Sequence, residues 1–165
     1  MRSYQRIIVC HGVAAVILSL AACASPERIA RGTPEAEVRD KVGDPVAVHV
    51  LPPNGVRRLE YVGANEQFTW MVDLDAAGRV ERVRQVRTLE NFRSLEFGHD
   101  NMEDVRREFG RPYAVQYYRL SGNTAWLYPY REAGAFEMMM GVIFDPKGRV
   151  LRLESGHDPR WDISE

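Results

Sequence analysis

Cys23 is the residue of this 165-residue chain whose neighbours most clearly indicate chemistry. It follows Leu20-Ala21-Ala22 and a nearly unbroken apolar run of 14 residues behind Arg2 and Arg6. A thiolate is nucleophilic enough to take up diacylglycerol as a thioether, and small residues before it let a peptidase close on the backbone. The run is too short to span a bilayer, which takes roughly 20 apolar residues. The pattern predicts a cleaved signal peptide and a covalent lipid on Cys23; the alternative is an ordinary signal with an incidental cysteine.

The Leu-Ala-Ala-Cys segment resembles a bacterial lipobox. Ala24 and Ser25 follow Cys23, whereas an Asp at that place would, by resemblance to known sorting rules, indicate retention in the inner membrane. At about 0.8 kcal/mol per buried methylene, two or three acyl chains hold a protein firmly on a bilayer. The resemblance therefore implies a lipid-anchored protein of the outer membrane that faces the periplasm.

Composition excludes several classes of partner and site. The chain has 22 basic and 23 acidic side chains, and cleavage of residues 1–22 would remove Arg2 and Arg6 but no acid. A nucleic-acid binder normally carries a basic excess. Loss of Cys10 with the signal and modification of Cys23 would leave no free thiol, which excludes disulfides and thiolate catalysis. Without disulfides, the fold must be stabilised by its apolar core.

The histidines outside the signal segment suggest neither a metal nor a catalytic site. They are His49, His99 and His157, and the last two belong to Gly-His-Asp triplets that could form a metal pair or a base with its orienting acid. Asp100 is better explained as a helix N-cap and Asp158 as part of a turn. No Gly-x-Ser-x-Gly, Ser-x-x-Lys or His-Glu-x-x-His motif occurs. A carboxylate pair that meets only in the fold stays open, but we expect no enzyme, no metal and no cofactor besides the lipid.

Aromatic and basic side chains are the candidates for a binding surface. Trp126, Tyr128 and Tyr130 alternate onto one face of a predicted strand, and Tyr113, Tyr117 and Tyr118 precede it. This face either packs under helices or lines an open sheet surface, where aromatic side chains with polar tips suit protein contacts. The predicted partner-binding residues are Tyr117, Tyr118, Trp126, Tyr128, Tyr130, Arg82 and Arg84.

Arg82 and Arg84 belong to a basic cluster between Arg79 and Arg93. One interpretation is a solvated face paired with neighbouring glutamates. The other is a patch that rests on acidic lipid head groups or on an acidic partner.

An internal repeat organises the rest of the chain. Residues 75–83 and 145–153 share five of nine positions at an offset of 70, in the pattern Asp-x-x-Gly-Arg-Val. Upstream, Val38 to Gly43 to Pro45 matches Val105 to Gly110 to Pro112 at an offset of 67. The chain therefore contains two copies of one structural unit.

Each copy is predicted to be a short helix followed by four antiparallel strands. Thr33 before Pro34 is typical of an N-cap, and Asp100 with Glu103 of a capping box. The glycine of each Gly-x-Pro should end its helix in the left-handed conformation. The predicted strands are 47–51, 56–62, 68–74 and 79–86, then 114–120, 124–128, 136–144 and 149–154.

Alternation in the third strand of each copy predicts the core. Its eight residues are Phe68, Trp70, Val72, Leu74, Met138, Met140, Val142 and Phe144. Apolar residues that recur every three positions over 79–96 would also fit a helix in place of the fourth strand. The turn at Gly78, which matches the turn at Gly148 in the second copy, favours a strand up to about Val86. We then expect a joining helix from Thr88 or Leu89 to about Phe97, capped by Thr88.

Two copies of this pattern behind a lipobox resemble the SmpA/OmlA (BamE-like) family of outer-membrane lipoproteins. The residues that carry the match are Gly32-Thr33, Val38, Gly43-Asp44-Pro45 and Gly78-Arg79-Val80, then Gly98, Val105, Gly110-Arg111-Pro112 and Gly148-Arg149-Val150. The resemblance implies an accessory role in the assembly of β-barrel outer-membrane proteins. The doubled plan is similar to β-lactamase inhibitory proteins, which implies a concave protein-binding sheet.

The sequence thus predicts an α+β fold of two tandem units, each with one or two short helices packed on a four-stranded antiparallel sheet. The predicted segments are a signal peptide (1–22), a lipidated linker (23–31), two repeats (32–87 and 88–158) and a tail (159–165). The predicted function is binding of an envelope protein, such as the β-barrel assembly machinery, without catalysis. The alternative is inhibition of an envelope hydrolase through the sheet.

Overall fold

The computed structural model describes residues 25–161, so Cys23 and the predicted signal peptide lie outside the described residues. The elements of the first half are α1 (Glu35–Val42), β1 (Ala47–Leu51), β2 (Val56–Val62), β3 (Thr69–Leu74) and β4 (Val80–Gln85). Those of the second half are α2 (Leu89–Arg93), α3 (Met102–Phe109), β5 (Ala114–Tyr118), β6 (Asn123–Glu132), β7 (Phe136–Phe144) and β8 (Val150–His157). Single 3-10 turns lie at Pro26–Arg28, Ala64–Glu66 and Pro159–Trp161. Each half forms one antiparallel sheet with strands in chain order, which confirms the predicted α+β plan of two tandem units.

The repeated Asp-x-x-Gly-Arg-Val segment forms the same turn in both sheets. Asp75 Oδ1 accepts hydrogen bonds from the backbone N–H groups of Ala77 and Arg79 at 2.9 Å each, and Asp145 accepts the equivalent pair. The Arg79 guanidinium then donates to the carbonyl of Gly32 at 3.1 Å, and its counterpart in the second copy makes the matching bond. The conserved spacing between the copies therefore reflects a turn that is tied to the segment before each helix.

Both aligned helices begin one residue later than predicted. Pro34 and not Thr33 precedes α1. Asn101 and not Asp100 precedes α3, in a capping box with Asp104. Pro34 and Asn101 each form an isolated β-bridge to the arginine of the turn motif, which holds both residues in an extended conformation until the helix starts.

Gly43 and Gly110 end α1 and α3 as the repeat predicts. Their φ angles are 94° and 76°, but ψ angles of −173° and −161° lie outside the left-handed helical region, because the chain continues directly into an extended segment. Each glycine carbonyl accepts a hydrogen bond from a core tyrosine, Tyr61 or Tyr128, at 3.2 Å. The two tyrosines therefore fasten the helix ends to their sheets in the same way.

Most strands follow the predicted ranges, and the largest difference is β6. It continues to Glu132, beyond the predicted end at Tyr128, and contains Pro129 opposite Met139 of β7. Proline is normally excluded from central strands because it lacks an N–H. Pro129 is tolerated because the pairing of β5 with β6 reaches only to Leu127, so no bond to β5 is lost.

The joining helix is shorter than predicted. The predicted cap is confirmed, since Thr88 Oγ1 accepts a hydrogen bond from the N–H of Asn91 at 3.2 Å. The helix ends at Arg93 and not at about Phe97. Its one buried residue, Phe92, stacks on Phe109 of α3 with ring centroids 4.5 Å apart.

Each sheet packs one face beneath its helices and so has its own core. The first core joins Val38 of α1 to Leu59, Tyr61, Val72 and Leu74. The second is larger, and its buried members include Phe92, Val105, Phe109, Tyr128, Tyr130, Met140, Val142 and Phe144. Of the eight predicted core residues, Trp70 and Met138 are only partly buried. Phe68 precedes β3 and stacks on Trp70 at 5.6 Å outside the buried cluster, so its assignment to the core was wrong.

Candidate protein-binding surface

The second face of the first sheet is charged and packs against α3 of the second repeat. Arg58 Nε donates to Asp73 Oδ1 at 2.5 Å, and Arg58 Nη1 donates to Glu108 Oε2 at 2.9 Å. Arg82 Nη2 lies 3.0 Å from Asp73 Oδ2, and Arg84 Nη1 lies 2.8 Å from Glu108 Oε1. We call these five residues the ionic joint. Because Glu108 of α3 pairs with Arg58 and Arg84 of the first sheet, the joint connects the two repeats.

Asp73, the buried carboxylate of the joint, is held in its charged form. Burial raises the pKa of Asp73, but hydrogen bonds from Arg58 and Arg82 outweigh burial and bring that pKa below its usual value. The same pairing raises the pKa of Arg58 against the opposing effect of burial. The joint has three arginines and two carboxylates, and each carboxylate pairs with two of the arginines.

Arg82 and Arg84, which the sequence assigns to partner or lipid contact, belong to this joint. Their carboxylate partners are Asp73 and Glu108 and not the neighbouring glutamates of the basic cluster. An arginine that is already paired gains little from a second acidic group at the surface. Arg84 therefore takes part in the contact between the repeats, whereas Arg82 pairs with Asp73 inside the first sheet and keeps 58% of its side chain exposed.

A buried His–Glu pair lies beside the joint and was missed in the sequence. His49 Nε2 lies 2.8 Å from Glu60 Oε2, and Glu60 Oε1 accepts the backbone N–H of Arg111 at 3.1 Å. Burial raises the pKa of Glu60, yet these two hydrogen bonds bring it below its usual value. The predicted β1–β2 hairpin contained the information needed to find this pair. His49 of β1 pairs with Arg58 of β2, so Glu60, two residues after Arg58, is the diagonal neighbour of His49 on the same face.

The pair borders a cavity of about 380 Å³ lined by Val46, Ala47, Glu60, Arg106 and Arg111. This lining has no serine, threonine or cysteine beside the carboxylate. Glu60 is fully buried and accepts a backbone N–H from the second repeat. The arrangement therefore suits fixing the repeats in place better than proton transfer to a bound substrate.

The Gly-His-Asp triplets have structural contacts. Asp100 Oδ2 accepts the N–H of Glu96 at 2.7 Å, and the carbonyl of His99 accepts a hydrogen bond from Arg149. Asp158 is buried and pairs with Arg160 at 2.6 Å. Between residues 25 and 161, no group of three or more His, Cys, Asp or Glu side chains could hold a metal ion.

The predicted aromatic residues divide between the core and the surface. Tyr128 and Tyr130 have no exposed surface; the Tyr130 hydroxyl lies 2.8 Å from Ser155 Oγ. Trp126 is half-buried and packs edge-on against Phe144, with centroids 5.0 Å apart. Tyr117 and Tyr118 are exposed on β5. Tyr128 and Tyr130 therefore belong to the core, because a buried ring does not contact a partner.

Each repeat exposes an apolar row on its first strand. Val46, Val48 and Val50 form the first row; Tyr113, Val115 and Tyr117, each 67 positions later, form the second. Alternate residues of a strand share a face, and Val48 and Val115 lie opposite Leu59 and Trp126 on the core side. The rows stay exposed because β1 and β5 are edge strands that the short helices do not cover. We call them the valine row and the tyrosine row.

The tyrosine row continues into an exposed hairpin. Tyr117 is 64% exposed, Tyr118 is also exposed, and the side chain of Leu120 at the tip is wholly accessible. Exposed apolar groups that lie together on one surface are typical of protein interaction sites. Tyr117 thus lies on one face with Tyr113 and Val115, and Tyr118 lies on the opposite face of the same edge strand. Trp126, the register partner of Val115, is half-buried on the face of the tyrosine row.

Comparisons with known proteins give little beyond this geometry. No family model matches the chain, and no curated protein matches it. A DUF4309 family protein (YjgB) of Bacillus subtilis is similar at 11% identity and a TM-score of 0.32, covering 76% of this chain and 78% of the other. A putative β-lactamase inhibitor protein of Streptococcus mutans is similar at 12% identity and a TM-score of 0.32, covering 80% of this chain and 87% of the other.

None of the helices described is sufficiently long and apolar to traverse a bilayer.

Proposed function

We propose that this chain is a protein-binding module without catalytic activity, held on the outer membrane by a lipid on Cys23 and facing the periplasm. The observation that carries the proposal is the tyrosine row, an exposed aromatic face of an edge strand, with Tyr118 exposed on the other face of the same strand. Tyrosine supplies large contact area and a polar hydroxyl at low cost in conformational entropy, and it is enriched in protein interfaces.

The tether strengthens such a surface. A lipid on Cys23 confines the domain near the membrane and raises its effective concentration toward a membrane-bound partner, so contacts of modest affinity are sufficient. The partner we propose is an envelope protein, in line with the resemblance of the repeated turn and cap residues to the SmpA/OmlA (BamE-like) family. That resemblance favours an accessory role in β-barrel assembly.

A second candidate function is inhibition of an envelope hydrolase. The observation that favours it is the wholly exposed side chain of Leu120, which projects at the tip of the β5–β6 hairpin between Tyr118 and Asn123. A protruding apolar side chain can fill the cleft of an enzyme. The hairpin lacks an acidic residue, and that weakens any analogy to an acidic inhibitory loop.

One substitution tests tether and binding together. Cys23→Ser removes the thiol that would carry the lipid, so we expect a chain that is released from the membrane fraction or remains uncleaved. The measurement is membrane fractionation of a tagged chain, followed by mass spectrometry of proteins that copurify after crosslinking in intact cells. Cys10→Ser, within the predicted signal, is the matched control and should behave as wild type.

Each readout has its own outcome. Membrane association that persists unchanged in Cys23→Ser would refute the lipid anchor. Recovery of β-barrel assembly subunits with the wild-type chain would support the first function, and recovery of one soluble hydrolase would support the second. If wild type brings down no envelope protein at all, the chain is not a binding module.

A further inference from the structure

The four edge strands of the two sheets differ in how they are protected against pairing with another strand. Edge strands of soluble proteins usually carry charges, prolines or bulges that prevent such pairing. β4 carries Glu81, Arg82 and Arg84, and β8 carries Arg152 and Glu154. β1 and β5 carry no acidic or basic residue except His49. The last strand of each sheet is thus protected, whereas the first is open.

The two open edges are not equivalent, because the charges around them differ. No acidic residue occurs between Glu108 and Glu132, a stretch that contains β5 and three arginines. Arg111 lies before β5 and is mostly exposed, with a single distant contact of 3.9 Å to Glu66. Arg119 lies directly after β5 and is exposed, without a side-chain partner between residues 25 and 161. β5 is therefore an apolar edge with an exposed arginine near each end.

β1 lacks this arrangement. The exposed acid Asp44 lies three residues before it and pairs with Arg39. The strand ends at Leu51, before a proline pair. One face of β1 is also occupied, since His49 is bound to Glu60. The valine row therefore offers apolar contact but lacks a basic residue near each end of its strand.

We propose that β5 accepts an extended segment of the partner as a fifth strand of the second sheet, and that this segment has apolar or β-branched residues at alternate positions and an acidic residue near each end. Backbone hydrogen bonds to the open edge supply affinity, and alternate side chains pack on the tyrosine row. The acidic ends pair with Arg111 and Arg119. This inference rests on the proposed function and identifies the partner chemistry of the same surface.

A second copy of the chain fits the edge poorly. Antiparallel pairing of two β5 strands about Val115 would place Arg111 of each copy opposite Arg119 of the other. Like charges directly opposite each other destabilise a strand pair. The charges at β5 therefore favour an acidic segment from another protein over self-association.

Two peptides of about eight residues, close to the usual length of a strand, test the proposal. Both alternate Val or Tyr with Thr, and one has Asp at each end where the other has Lys. We expect the Asp peptide to bind the purified lipidated chain about tenfold more tightly, as measured by fluorescence anisotropy at low salt. On binding, amide hydrogen exchange should slow in β5 and not in β1.

Matched variants locate the site. Val115→Lys should weaken binding of the Asp peptide about tenfold, because a lysine on an edge strand opposes pairing. Val48→Lys, at the equivalent position of the first repeat, should have no effect. The double variant Arg111→Glu with Arg119→Glu should reverse the preference and bind the Lys peptide more tightly.

The proposal is overturned by equal affinity for the two peptides, by binding of neither, or by protection at β1. A concentration-dependent dimer in sedimentation that Val115→Lys abolishes would also overturn it, since the edge would then serve self-association. These failures differ from failure of the proposed function: envelope proteins recovered by crosslinking would still show a binding module that uses another contact mode.

Discussion

Replacing Arg87 with methionine is expected to remove roughly 3–5 kcal/mol of folding stability, because it leaves three buried carbonyl groups without a charged donor; this is a large part of the stability of a domain of this size. Arg87 is 1% exposed, and among residues 25–161 no carboxylate forms an ion pair with it. Its guanidinium donates to the carbonyls of Arg111 at 2.7 Å, Phe109 at 3.4 Å and Glu66, and lies 5.2 Å from the ring centroid of Tyr128. Methionine fills similar volume but leaves three carbonyls without that donor.

The position of Arg87 explains why a lone buried cation is stable. Phe109 is the last residue of α3, and the carbonyls at a helix C-terminus are unsatisfied and carry partial negative charge. Burial lowers the pKa of Arg87, but an arginine stays charged far above neutral pH. Arg87 thus caps α3 and ties it to the Ala64–Glu66 turn of the first repeat.

Urea unfolding of Arg87→Met and wild type measures the effect. Arg93→Met is the matched control, because Arg93 is exposed on α2, and it should change stability by no more than about 0.5 kcal/mol. Arg87→Lys should fall between wild type and Arg87→Met, since an ammonium keeps the charge but not the fork of donors. A loss below about 1 kcal/mol in Arg87→Met would contradict the capping role.

Gly110→Ala is expected to be the other most harmful change, costing roughly 2–6 kcal/mol. The combination of φ 76° and ψ −161° is almost restricted to glycine and costs alanine about 1–3 kcal/mol. In addition, a Cβ at Gly110 would overlap the carboxylate of Glu60, which is buried and bound to His49. Forcing that carboxylate aside adds the cost of overpacking, about 1–3 kcal/mol.

Gly43→Ala separates the two effects. Gly43 ends α1 with a φ of 94°, and a Cβ there would meet nothing within 4 Å. It should therefore show the backbone cost alone, and the difference between the two variants in thermal or urea unfolding measures the contact with Glu60. Equal losses in the two variants would show that Glu60 moves away freely and that its contact with Gly110 does not limit the substitution.

The sequence predicts the turns and the helix cap correctly where the structure depends on contacts between residues close in the chain. The Asp75 and Asp145 turns and the Thr88 cap join residues within four positions of each other, so their spacing predicts them. The start of α3 was misplaced by one residue because Asn101 is held extended by a bridge to Arg149, which is distant in the chain. Local propensity contains no information about such a bridge.

The candidate site was less predictable, because it depends on what covers each face of the sheets. Period-two alternation places Trp126, Tyr128 and Tyr130 on one face but does not say that Phe92 and Phe109 pack on it. Only Tyr117 and Tyr118 were assigned to the surface on which the structure shows them. That they lie on an edge strand follows from the strand order, which sequence spacing alone does not fix.

The pairing of charges was missed for the same reason. Arg84 meets Glu108, which is 24 positions away and belongs to the other repeat. Sequence reasoning paired the basic cluster with nearby glutamates, since contacts between repeats leave no local pattern. In a tandem repeat, a cluster of charged residues in one copy can therefore pair with the helix of the next copy and not with a ligand.

Photocrosslinking in intact cells tests the central claim, that this chain acts by presenting the tyrosine row to another protein. A photoreactive phenylalanine analogue replaces Tyr117, or Leu151 on the opposite edge strand, where the side chain is 44% exposed. The account predicts a discrete adduct with one envelope protein from position 117 and none from position 151. No adduct from position 117, or the same adducts from both positions, would contradict it.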